Sequence, residues 1–111
     1  MSATVTINIA RDFSRFPAGR YLDDGPYSGA AFRDRYMKPA LDRGETLVIE
    51  LDGVRGYGSS FLEEAFGGLV RLGHSADRVK QAIKLKSNDD SLIKEVLEYI
   101  DNGLESAEDG Q

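Results

Sequence analysis

Apolar and polar residues alternate strictly from Thr4 to Ile9, with Val5, Ile7 and Ile9 on one side and Thr4, Thr6 and Asn8 on the other. That period of two predicts a half-covered strand at or beside a sheet edge. A denser run follows in Thr46 to Leu51, where Leu47, Val48, Ile49 and Leu51 are apolar and rich in β-branching. It suits a central strand covered on both faces, as in parallel sheets packed by helices. Ala82 to Lys86 alternates again, with Ile83 and Leu85 inward, and predicts a further strand.

Between these segments the apolar spacing becomes helical. Ala31, Phe32, Met37, Ala40 and Leu41 follow Ser28, which reads as an N-cap, because its hydroxyl can accept from a free amide of the first turn. Pro39 lies inside this helix and predicts a bend or restart there, with an end before Gly44. Leu62, Ala65, Phe66 and Leu69 form the apolar face of a second helix over Ser60 to Leu72, closed by Gly73. Ser60 and Glu63 have capping-box spacing, and Gly67-Gly68 allows this helix to lie close on a neighbouring backbone. A second box, Ser87 to Asp90, opens a helix that buries Leu92, Ile93, Val96, Leu97 and Ile100 and stops at Asn102-Gly103.

Two stretches stay open. Arg11 to Tyr27 is a long connection carrying Pro17, Gly19, Asp23-Asp24-Gly25 and Pro26. Its length means that it is functional or hides a short strand at Gly19 to Leu22. Ser75 to Gln81 reads equally as a helical turn or as the approach to a strand. The resulting order, β, (β), α, β, α, β, α, predicts an α/β fold: a mixed, mostly parallel sheet of about four strands with helices packed against it.

Composition narrows the picture. The 111 residues suit one domain, with residues 1–102 as its body and 103–111 as an acidic, disordered tail. Setting aside Asp101, Glu105, Glu108 and Asp109 leaves 15 acids against 14 bases, so the net charge of −5 is mostly a property of the C-terminal end. There is no basic stripe, which argues against nucleic acid as the main partner. The lack of cysteine excludes disulfides and thiol chemistry and fits a reducing, cytoplasmic setting. No run has the length of a membrane span or of a signal-peptide core. No metal or cofactor is expected, and the oligomeric state is left open.

The segment GYGSSFLEEAFGG carries the candidate chemistry. With Gly19-Arg20, Ser28-Gly29 and Phe32-Arg33 it resembles a bacterial STAS-like family of unknown function. That family is related in fold to the STAS domains of anti-sigma-factor antagonists, and the likeness spans about residues 3 to 102. Such antagonists switch partners when a serine at this helix start is phosphorylated by an ATP-binding anti-sigma kinase. The resemblance therefore implies a regulatory protein-binding module with Ser60 as candidate phosphoacceptor and Ser59 beside it. Tyr57, Phe61, Glu63 and Glu64 become the candidate partner interface. A phosphate there would meet free amides and the positive end of the helix dipole. Gly58 stands where the antagonists have an acidic residue, and Phe61 where they have a small one.

Plainer readings accompany each residue. Ser60 can be only a cap, Ser59 a loop hydroxyl, and Glu63 and Glu64 a solvated first turn. Phe61 either packs under the 53–58 loop or stands exposed for docking. Arg20 and Arg33, near the Ser28 cap, define an alternative function as a sensor of a small anionic ligand or nucleotide. A remote third reading is a serine hydrolase with His74 as base. The Gly-x-Ser-x-Gly elbow is missing, and His74 lies about 20 Å along the helix from Ser60. The expectation is a protein that is not an enzyme.

Overall fold

A computed structural model describes residues 3–105. Three strands, β1 (Thr4–Asn8), β2 (Thr46–Glu50) and β3 (Ile83–Lys86), form one parallel sheet in the order β1-β2-β3. Helix α1 fills the β1–β2 crossover as three consecutive segments, Gly29–Phe32, Arg33–Met37 and Lys38–Asp42. Helix α2 follows β2, again in three segments, Ser59–Leu62, Glu63–Gly67 and Gly68–Arg71. In each helix the middle segment is a single wide π turn. Helices α3 (Ala76–Ala82) and α4 (Asp90–Asp101) flank β3.

The register explains the layering. Val5 pairs with Leu47 and Leu47 with Ile83, while Ile7 pairs with Ile49 and Ile49 with Leu85. These residues share one face, and their side chains meet those of all four helices in a single core. Across the other face, Thr6, Val48 and Lys84 lie in one row; Thr6 and Lys84 are exposed and Val48 is half-buried. The expectation that β2 is covered on both faces is therefore corrected. A β-branched run reads alike in a one-sided and a two-sided strand; the polar residues of the neighbouring strands decide between them.

The expected sheet of about four strands has three among the described residues. The segment Gly19 to Leu22 forms no strand; its carbonyls serve a helix instead. Gly19 and Arg20 accept from the amides of Gly29 and Ala30 at 2.9 and 3.0 Å, which satisfies donors that a helix start leaves free. A 3-10 turn, Leu22–Asp24, comes next. The ambiguous 75–81 stretch is helical, with Ser75 Oγ accepting from the Arg78 amide at 3.1 Å.

The breaks and caps divide. Ser28 caps α1 as expected, accepting from the Ala31 amide at 3.2 Å. Helix α1 restarts at Lys38, which places Pro39 in the first turn of a segment, where its missing N–H costs nothing. Both predicted capping boxes are corrected. Gly58 holds the N-cap position of α2, and Ser60 makes no capping bond. At α4 the cap is Asp89, which accepts from Ser91 and Leu92, while Ser87 Oγ donates to Asp52 at 2.7 Å.

Close helix contacts need glycine. A Cβ on Gly29 would stand 2.4 Å from the Phe61 carbonyl oxygen, and one on Gly103 would stand 2.7 Å from that of Gly67. The close approach expected at Gly67 is thus present, against the end of α4 and Gly103. Gly103 is buried, so the packed body reaches into the expected tail, whose residues 106–111 lie outside the described residues. No helix among the described residues is long and apolar enough to cross a membrane.

Candidate functional site

The start of α2 follows directly from the β2–α2 loop. Tyr57 Oη donates to the Leu51 carbonyl at 2.6 Å, which folds the loop back over the sheet end, and its ring stacks on Phe61 at 6.0 Å. Phe61 is fully buried between Tyr57, Phe13 and Phe32. Of its two expected readings, packing under the 53–58 loop is the one present, and it offers no docking surface. Ser59 and Ser60 are exposed, and their hydroxyls make no hydrogen bond within 3–105.

Glu63 and Glu64 do not face solvent. Each side chain is only 9% exposed, and both turn into a cluster of three arginines. Arg71 reaches Glu63 with two bonds of 2.7 and 2.9 Å and Glu64 with one of 3.0 Å. Arg20 pairs with Glu63 and lies 3.4 Å from Glu64 Oε1. Arg33 pairs with Glu64 and with Asp34. The solvated-first-turn reading of Glu63 and Glu64, and their place in a partner interface, are corrected by this burial.

Energetics explain why five charges collect here. Burial alone pushes the Glu63 carboxyl up, but the guanidiniums of Arg71 and Arg20 together outweigh it and hold it below the ordinary glutamate value. Hydrogen bonding to Glu63 raises Arg71 in turn. The cluster joins the 11–27 loop through Arg20, α1 through Arg33 and α2 through the glutamates. The chain end joins through the Gly103 carbonyl, which accepts from Arg71 at 2.9 Å. Gly68 leaves the space that this needs, since a Cβ there would stand 2.8 Å from Arg33 Nη1.

Arg20 and Arg33, the candidate anion-binding pair, are thus brought together with Ser28 nearby in the chain, but their charge is taken up by Glu63 and Glu64. Arg71 escaped the sequence reading. Its spacing from Glu64, seven residues on one helix, puts both on one face and was the available signal. His74 lies 3.2 Å from Asp42 at the far end of α1. Among the described residues there is no group of three or more histidine, aspartate or glutamate side chains suited to a metal ion.

A three-stranded parallel sheet with its helices on one side, and a serine pair opening the helix after the central strand, define a small STAS-like α/β domain. Residues 28–92 match the family described as STAS-like domain of unknown function (DUF4325), and the chain belongs to that family. The matched span opens on the Ser28 cap and closes in the first turn of α4. No curated protein and no solved structure matches the chain.

Proposed function

We propose that this protein is a non-catalytic regulatory module that binds a protein partner at the end where Ser59 and Ser60 open α2. Phosphorylation of Ser60 then controls the contact. The observation that carries this reading is the state of the two hydroxyls: both are exposed and uncommitted at the start of a long helix. A phosphate there changes the surface by nearly two charges beside free amides and the helix dipole. Glu63 and Glu64 do not oppose it from the surface, because their charge is matched inside by three arginines.

The surroundings suit a protein partner. The 14–27 loop exposes Phe16, Tyr21, Leu22 and Tyr27. It is fastened to this end of α2 by the Arg20–Glu63 pair and by the Arg55 amide donating to the Arg15 carbonyl at 2.9 Å. Exposed apolar side chains gathered on one ordered loop are a surface for another protein. By analogy with STAS antagonists, the partner is an ATP-binding serine kinase or anti-sigma-type regulator of the bacterial cytoplasm. The place of His74, beyond the far end of α2 from Ser60, also favours a binding role over a serine–histidine hydrolase.

The test is a pull-down from the native cell with wild type, Ser60→Ala and Ser60→Asp, with retained proteins identified by mass spectrometry. An ATPase-type regulator held by wild type and Ser60→Ala, and lost with Ser60→Asp, supports the switch. Identical capture by all three overturns it.

A further inference from the structure

All three strands run the same way, so their carboxyl ends gather at one end of the sheet. Asn8, Glu50 and Lys86 form the last register row there. Two clefts of about 520 Å³ each open at this row, and they share Asn8 and Asp52 as a common wall. The first is lined by Arg11, Arg15 and Arg55 with Gly53. The second adds Glu50, Lys86, Ser87 and Asn88.

The arginine cleft differs from the Arg20–Arg33–Arg71 cluster in one respect. Arg15 and Arg55 make no ion pair among the described residues, yet their backbones are joined by the 2.9 Å bond from the Arg55 amide to the Arg15 carbonyl. Both side chains line the same cleft, with Arg11 beside them. Arg11 is itself paired with Asp12 at 2.9 Å. The acid of the shared wall is already engaged: Asp52 accepts from Ser87 Oγ at 2.7 Å and from the Asn88 amide at 2.9 Å. Guanidiniums gathered on one cleft, two of them without an ion pair among the described residues, favour an anion there. Guanidinium groups match phosphate oxygens with paired donors.

We propose that these two clefts bind a small phosphate ester, with its phosphate on Arg15, Arg55 and Arg11. Its hydroxyl-bearing part lies across Asn8 towards Glu50 and Asn88, which supply acceptors and donors for hydroxyl groups. This site is separate from Ser60 and from the arginines that hold Glu63 and Glu64, so it stands or falls independently of the partner switch.

Isothermal titration calorimetry on the full chain tests it with three probes: inorganic phosphate, ribose 5-phosphate and ribose. Ribose 5-phosphate is expected to bind more tightly than phosphate, and ribose not measurably. The Arg15→Gln/Arg55→Gln double variant keeps the fold, because both side chains are exposed and the linking bond is between backbones. It should lose at least about tenfold in affinity for both phosphate compounds, whereas Arg43→Gln, at the end of α1, should lose nothing. Glu50→Gln should weaken ribose 5-phosphate and leave phosphate unchanged. Absence of binding at millimolar ribose 5-phosphate, or equal binding by wild type and the double variant, overturns the site. Equal affinity for phosphate and ribose 5-phosphate overturns the two-cleft placement.

Discussion

Arg71 grips Glu63 with two hydrogen bonds, Nη1 to Oε2 at 2.7 Å and Nη2 to Oε1 at 2.9 Å, within one helix. The same guanidinium also holds Glu64 and the Gly103 carbonyl. Replacing it leaves two buried carboxylates short of a partner, a change that costs far more than a surface pair is worth. Arg71→Met is expected to lose about 3 kcal/mol in urea unfolding, and Arg43→Met, whose pair with Glu45 is on the surface, about 0.5 kcal/mol or less. Equal losses would show that the cluster adds nothing beyond exposed pairs.

The same cluster sets a pH dependence. Glu63 is held below the ordinary glutamate value of 4.5 in the folded state. A depressed carboxylate stabilises the fold above its unfolded pKa, and that contribution fades as pH falls through the folded value. The stability gap between wild type and Glu63→Gln should therefore be widest near neutral pH and close below about pH 4.5. Urea titrations across that range read it directly, and a gap that widens with acid would contradict the assignment.

Glycine contacts give a sharper contrast. A methyl on Gly29 would press on the Phe61 carbonyl and the Ala65 amide of α2, both backbone groups that cannot turn aside. Gly29→Ala should cost about 3 kcal/mol. Around Gly56 there is open space, so Gly56→Ala should stay within about 0.5 kcal/mol of wild type. Thermal unfolding of the two variants separates these outcomes.

Caps that are made and caps that are not should differ as well. Ser28 is buried and accepts from Ala31, and Asp89 accepts from two amides. Ser28→Ala and Asp89→Ala should each lose about 1 kcal/mol. Ser60→Ala should be neutral within about 0.5 kcal/mol. A loss at Ser60 equal to that at Asp89 would mean that its hydroxyl serves the helix after all.

Much of the fold was legible because local patterns encode it. The alternation of Val5, Ile7 and Ile9, the helical spacing from Leu62 to Leu69, the Ser28 cap and the Pro39 restart each depend on neighbours a few residues away. The boxes at Ser60 and Ser87 misled for a related reason. Box spacing records that a bond is possible, and the outcome depends on what competes for the side chain. Glu63 had guanidiniums to reach, and Ser87 had Asp52.

By itself the sequence determined the three strands, the three longer helical segments and the family likeness, and it placed the serine pair after β2. Tertiary structure decided which charges became interior and which stayed open. Arg20, Arg33 and Arg71 come from separate places in the chain and meet Glu63 and Glu64 only when α1, α2 and the 11–27 loop pack. Arg15 and Arg55 line one cleft only because a backbone bond joins the loops that follow β1 and β2. One set of arginines is neutralised and the other has no ion pair among the described residues, because Coulomb pairing depends on distance in space, which no pattern along the chain records.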